Sequence, residues 1–264
     1  MTNKLLKNSL AIALAAMLTA CASTYENSSI EPENTALKAA LAVQDEAAQA
    51  RFSARKPEQT LDFFGIEPGM TVVEALPGGG WYSKILLPYL GKDGELVGVD
   101  YALPMWSNFG FMTPERIEAK KTWVETWTND AQAWRGEGSA TVSAFQFNAV
   151  PESMKGKADA VLFIRALHNL SRFEEKGGYL SSALEETYAV LKPGGIVGVV
   201  QHQAREDRPD SWATGANGYL KKSALIAKMQ ASGFEFVGES SINENPLDQA
   251  TEGDIVWRLS LIHI

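Results

Sequence analysis

Six short runs rich in β-branched and aromatic residues alternate along the chain with longer stretches of helical spacing. The runs lie at 70–76, 95–100 ("ELVGVD"), 141–147 ("TVSAFQF"), 159–164 ("DAVLFI"), 195–201 ("GIVGVVQ") and 234–240 ("FEFVGES"). The helical patterns lie at 81–90, 114–134, 178–191 and 219–232. Strands separated by helices have to cross over and pair in parallel, so the alternation predicts an α/β fold with a doubly wound, mostly parallel sheet covered on both faces. Such sheets bind ligands at the carboxyl ends of their strands, beside the point where strand order reverses. Two helical patterns precede the first strand, "TALKAALAVQDEAAQARF" and "PEQTLDFFG", the second with Pro57 placed to start it and Gly65 to stop it.

The first strand runs into "EALPGGGWYS", residues 74–83. Three consecutive glycines cost conformational entropy, so outside a linker they mark a turn with positive φ or a ligand lying against the main chain. Here they follow the apolar run around Val72 and Val73 and precede Trp81, Ile85, Leu86 and Leu90 at helical spacing. Strand, glycine turn and helix form the nucleotide corner of doubly wound folds. A dinucleotide fingerprint needs G-x-G-x-x-G, which this turn lacks, so a nicotinamide oxidoreductase is disfavoured.

The strand-end rule sorts the polar residues. Glu74 and the glycines close the first strand, and Asp100 closes the second, 20 residues after Gly80. A carboxylate at that distance accepts from both ribose hydroxyls, although a solvated strand-end aspartate would look the same. Asn148 ends the third strand, where an amide can meet an adenine edge or simply make a turn. Arg165, His168 and Asn169 follow the fourth strand, and His202 follows the fifth. The chain has 3 histidines, and two of them are at these strand ends, facing one crevice if the fourth and fifth strands are neighbours. They can orient a substrate or act as bases near neutral pH. A two-histidine metal site lacks a third ligand, so no metal is expected.

The first 20 residues have two lysines, an apolar stretch from Leu10 to Ala20 and small residues, the pattern of a secretory signal. They end in "LTAC", which resembles the bacterial lipobox; Cys21, the single cysteine, is then a lipidated N-terminus. Ala22 after it resembles the pattern of outer-membrane destination, on the periplasmic face. Loss of Lys4 and Lys7 takes the formal charge from −8 to −10, which repels nucleic acid and leaves the lipid as the only membrane contact. Residues 21–34 form the lipidated cysteine and a polar tether, and residues 35–258 a single domain. A monomer acting on a small molecule is expected.

In order and spacing, "VEALPGGGW", "GVDY", "ADAVLFIRALHNL" and "LKPGG" resemble the class I S-adenosylmethionine-dependent methyltransferases. The broad family pattern is E/D-x-G-x-G-x-G, and this chain has Leu76 where the first glycine belongs. A narrower resemblance accommodates it. Across roughly residues 50–258, the "PEQTLDFFGIEPGMTVVEALPGGGWYSKILLPYL", "RALHN", "LKPGGIVGVVQH" and "ASGFEFVGES" stretches, with "NENPLD", are similar to a group of often exported methyltransferases whose hallmark is the P-G-G-G-W-Y turn. The resemblance implies S-adenosylmethionine lined by Glu74, Gly78, Gly79, Gly80, Asp100 and its neighbour Tyr101, with Asn148 near the base. It places Arg165, His168 and His202 toward the acceptor, of unknown identity.

Trp81 and Tyr82 can pack on a sulfonium by cation–π attraction, or Trp81 can be an ordinary core residue. The polar, glycine-bearing stretch from Ala204 to Gly218 suits a lid. S-adenosylmethionine is made in the cytosol, so an exported chain raises a second possibility, a non-catalytic ligand-binding lipoprotein. The last six residues, "LSLIHI" (259–264), can be encoded by CTG-TCT-CTT-ATA-CAC-ATC, the end of a transposase library adapter. They are expected to be a non-native tail, leaving the methyltransferase fold without its final strand and with an unfilled slot beside the fifth.

Overall fold

A computed structural model of the chain describes residues 34–258. The expected signal peptide, Cys21 and most of the tether, and the expected non-native tail, lie outside the described residues. Five parallel strands form the main sheet: β1 (Thr71–Ala75), β2 (Glu95–Asp100), β3 (Thr141–Gln146), β4 (Ala158–Ile164) and β5 (Leu191–Val200). Their order is β3-β2-β1-β4-β5, so the direction of winding reverses between β1 and β4. This is the doubly wound α/β architecture that the alternation predicts.

Side chains alternate across each strand, and the two sets build two cores. Val73, Val97, Val161 and Phe163 face one layer, made of α8 (Leu167–Arg172), α10 (Tyr179–Val190) and the aromatic segment after β2, while the short α9 (Glu174–Gly177) links the two helices without a buried residue. Val72, Leu96, Ala160 and Leu162 face the other, made of α1 (Thr35–Ala42), α4 (Pro57–Phe63), α5 (Ser83–Leu90) and α7 (Trp123–Trp134). Pro57 opens α4, and Gly65, at φ +64°, ends it as expected. The long helical pattern at 35–52 is instead broken into α1, α2 (Glu46–Gln49) and α3 (Phe52–Arg55). Asp45 starts a new helix by accepting from the Ala48 amide at 2.7 Å, and Gln44 turns its side chain to the Lys84 carbonyl. The pattern at 114–134 likewise divides into α6 (Pro114–Lys120) and α7.

Beyond β5 the structure departs from the sequence expectation. Residues 234–240 form no strand; they follow α11 (Lys222–Ala231) without joining a ladder. The outer edge of β5 has no strand partner among the described residues. A strand is defined by its neighbour's hydrogen bonds, and here a groove of about 1200 Å³ separates 234–240 from β5. A separate two-residue ladder, β6 (Gln203–Ala204) with β7 (Leu220–Lys221), and a single bridge from Thr214 to Leu220 fold the stretch after β5 back onto itself.

Candidate functional site

At the carboxyl end of β1 the chain turns sharply. Leu76 has φ +57° and Gly78 has φ +56°. The family pattern puts a glycine where Leu76 stands, and the backbone there does adopt the left-handed conformation that favours glycine, at a cost to leucine of about 1–2 kcal/mol. The three glycines then separate by role. Gly78 and Gly79 are exposed, and a Cβ on Gly79 would meet nothing within 4 Å, so the main chain is open to a ligand. Gly80 is buried, and a Cβ there would lie 2.3 Å from the Trp134 ring. Its glycine is required by packing.

Glu74, further back on the strand, is closed off from solvent. It sits in mid-sheet between Gly98 of β2 and Leu162 of β4, is 4% exposed, and accepts from Ser83 Oγ at 2.6 Å. Burial pushes its carboxyl up to about 7, against the pull of the Ser83 hydrogen bond. Asp100 ends β2 as expected and is 5% exposed. Lys120 of α6 donates to its Oδ2 at 3.0 Å while lying 3.8 Å from the Trp106 ring centroid. Burial raises the Asp100 carboxyl despite that ammonium. Tyr101 is buried against Trp106 and Phe109, and its hydroxyl accepts from Asn169 at 3.0 Å. Asn148 is taken up by a turn at φ +68°: its side-chain oxygen accepts from Ser182 at 2.6 Å, and its backbone N–H donates to Glu186. Both partners are on α10, so the side-chain oxygen and the backbone N–H of Asn148 are engaged within this turn.

The two strand-end histidines are neighbours with different surroundings. His168, on α8, is 7% exposed, and its Nδ1 has no hydrogen-bond partner among the described residues; nor does the Gln201 Oε1 beside it. Burial, then the nearby His202, push its pKa down to about 4, so it is neutral at pH 7. The 204–218 stretch covers it: a Cβ on Gly215 would fall 2.0 Å from the His168 carbonyl oxygen. Arg208 and Trp212 tie that stretch to the Ala250 and Glu252 carbonyls at 3.1 and 3.0 Å, so it is fastened down in this structure.

His202 lines the groove beside β5. Its Nδ1 meets Asp248 Oδ2 at 2.7 Å, and Asp248 Oδ1 accepts from the Tyr219 hydroxyl at 2.5 Å. Burial alone would raise the Asp248 carboxyl, but hydrogen bonds from His202 and Tyr219 outweigh it and hold it below the usual value. A carboxylate fixed on Nδ1 keeps the proton there and leaves Nε2 as the acceptor. Asp248 and Tyr219 are the residues that sequence reasoning missed. Asp248 stands in the "NENPLD" stretch, 46 residues from its partner, and only the resemblance drew attention to that stretch.

Arg165, directly after β4, has φ +58° and lines the same groove with Arg55 and Tyr82. Trp81 takes the core alternative. Its ring packs on Phe52 and Tyr82, with the Arg55 guanidinium 4.5 Å from its centroid. Along the carboxyl edge the order is therefore Asp100, the glycine turn, Arg165 and His168, then His202. All lie on one side of the sheet, with Asp100 two strands from β4. Among the described residues there is no cluster of His, Cys, Asp and Glu that could hold a metal ion.

The sheet order and the crossover helices define a doubly wound α/β protein with its polar groups gathered at the carboxyl edge. No protein-family model and no curated protein sequence matches the chain. Among solved structures it is similar to the [4+2]-cyclase SpnF, at 18% identity and a TM-score of 0.46, covering 68% of this chain and 56% of that one. It is also similar to an arsenic(III) S-adenosylmethionine methyltransferase from Chlamydomonas reinhardtii, at 20% identity and TM-score 0.42, covering 75% and 61% of the two chains. A third is a SAM-dependent methyltransferase from Aquifex aeolicus, at 18% identity and TM-score 0.44, covering 75% and 87%. The chain thus spans less than two thirds of the length of the first two.

Proposed function

We propose that this chain is an S-adenosylmethionine-dependent methyltransferase acting on a small-molecule acceptor, exported and held by a lipid on Cys21 at the periplasmic face of the outer membrane. The observation that carries the enzymatic part is the shared sheet edge: open backbone at Gly78 and Gly79, a carboxylate at Asp100 and an aspartate-fixed imidazole at His202. When bound, S-adenosylmethionine supplies a methyl group already activated by its sulfonium, which leaves the protein alignment and proton removal. Asp100 would accept the ribose hydroxyls through Oδ1, the oxygen that Lys120 leaves free, and Gly78 and Gly79 would let the nucleoside lie against the main chain. His202 Nε2 would take the proton from an oxygen or nitrogen acceptor, with Asp248 stabilising the resulting imidazolium. His168, buried and neutral, would pack beneath the site, and Tyr101 and Glu74 would support it from within.

Titration calorimetry of the purified chain with S-adenosylmethionine and with S-adenosylhomocysteine tests this. One or both should bind, and Asp100→Ala should weaken binding by roughly 1.5–3 kcal/mol, the scale of hydrogen bonds to a charged group. NADH binding in place of either nucleoside would end the methyltransferase reading. The non-catalytic alternative is favoured by two contacts, Lys120 on Asp100 and Trp134 over Gly80, which give the acid and the last glycine structural work of their own. It predicts that neither nucleoside binds.

A further inference from the structure

One end of the groove holds two arginines that have no paired counter-ion among the described residues. Arg51, Arg55 and Arg165 make no ion pair and no side-chain hydrogen bond among the described residues, whereas Lys192, at another part of the groove, is paired with Asp159 at 2.6 Å. Arg55 and Arg165 both line the groove, as do Tyr82, Thr60 and His202. Their proximity is electrostatically unfavourable. Arg55 is lowered to about 10 by burial first and then by Arg165 and Arg51, and Arg165 is lowered by burial and by Arg51. Half-buried like charges without a counter-ion are costly, and chains of ordinary composition place a carboxylate beside them.

The arginines are also held in place. The Arg55 guanidinium rests on the Trp81 ring at 4.5 Å, and its carbonyl accepts from the Tyr82 and Thr60 hydroxyls at 3.4 Å each. Thr60 in turn accepts from Asn243 Nδ2 at 2.9 Å, which ties the far wall of the groove to this end. Arg165 is fixed by its left-handed backbone and by its amide, which donates to the Val200 carbonyl at 2.6 Å. Left-handed backbone at a bulky residue persists where the surroundings impose it, and it aims this side chain at the strand-end crevice. Elsewhere the groove is lined by apolar side chains including Phe64, Val200, Leu225 and Met229 and, on other parts of its wall, by the carboxylates Glu235, Glu239, Glu244 and Asp248.

We infer that Arg165 and Arg55 form an anion-binding subsite, and that the groove takes a small molecule with an apolar body and a carboxylate or phosphate head. Planar guanidinium forks match both heads bidentately, and bringing in the anion supplies the missing counter-charge. The head would dock in the groove that His202 also lines, so the inference refines the acceptor class of the methyl-transfer reading and rests on that reading for the word acceptor. The subsite itself needs no nucleoside.

Calorimetric titration of the full chain, without nucleoside, with phenyl phosphate, benzoate and benzamide tests the inference. At least one anion should bind saturably and at least tenfold more tightly than benzamide, the neutral amide. Arg165→Gln and Arg55→Gln should each weaken the anions at least tenfold and leave benzamide alone, while Lys192→Gln should change none of the three. Phenyl phosphate ahead of benzoate identifies a phosphate-bearing ligand, and the reverse order a carboxylate. If Arg165→Gln fails to fold, Arg165→Lys keeps the charge and should weaken the anions by less than Arg55→Gln does. Equal binding of benzamide, unchanged anion affinity in the arginine variants, or no saturable binding of either anion would overturn the subsite. Anion binding in a protein that takes neither S-adenosylmethionine nor its product would leave the subsite standing and remove methyl transfer, so the two failures are separable.

Discussion

Glu74 is a carboxyl closed inside the sheet with one hydroxyl for company, and its protonation should show in the stability of the whole domain. Its folded pKa is raised to about 7 from an ordinary 4.5 by burial. Below pH 4.5 the group is protonated in both folded and unfolded chains and costs nothing. Between 4.5 and 7 the unfolded chain releases the proton while the folded one keeps it, so stability falls as pH rises; above 7 both are ionised and the loss is complete. At 1.36 kcal/mol per unit the shift corresponds to about 3 kcal/mol, or on the order of 6–12 °C in Tm for a domain of this size. Glu74→Gln keeps an oxygen to accept from Ser83 and removes the charge. Thermal or urea unfolding of both proteins from pH 4.5 to 8.5 gives the difference between them, in which the other titrating groups cancel. Relative to its own value at pH 4.5, the variant should gain about 3 kcal/mol on wild type by pH 8, with most of the change between 4.5 and 7. A difference that stays flat across that window would show that Glu74 is ionised in the folded protein at low pH and that the burial argument is wrong.

The glycine turn offers a split between fold and ligand. Gly79→Ala should leave unfolding stability within about 0.5 kcal/mol, because its Cβ meets nothing, and should reduce S-adenosylmethionine affinity. Gly80→Ala should lose roughly 1–3 kcal/mol against Trp134, measured by denaturant unfolding. Once an acceptor is found, His202→Ala should lower kcat by roughly 10²–10⁴-fold, and Asp248→Asn should do so with cofactor affinity unchanged; equal loss of cofactor binding would make the dyad structural. Metabolic labelling with a palmitate analogue should mark the wild-type chain and not Cys21→Ser.

Five strands were legible in the sequence because a buried parallel strand is a short β-branched run, and the alternation with helices fixed how the runs connect. Residues 234–240 carry the same alternating pattern, yet strand formation depends on a neighbouring edge, which composition does not encode. The carboxyl-edge rule located Asp100, Arg165 and both histidines, since position in a strand is enough for that. It could not rank the histidines. The burial of His168 comes from Gly215 and the stretch around it, and the orientation of His202 comes from an aspartate 46 residues away in an irregular segment. The three glycines looked equivalent for the same reason: Trp134, which makes Gly80 necessary, is far along the chain and belongs to a different helix.

Leu76, Arg165 and Asn148 share a property that bears on how this protein would respond to engineering. Each stands just past the end of its strand with a positive φ, at 57°, 58° and 68°, and two of the three are large side chains in a conformation suited to glycine. Strain of about 1–2 kcal/mol at each of the two is therefore concentrated on the edge where the chemistry is placed. Selection of variants for heat resistance alone would be drawn to that edge, with glycine or asparagine at 165 among the easiest gains, and each such gain would discard a guanidinium from the groove. Thermostability and ligand recognition compete here for the same few backbone positions.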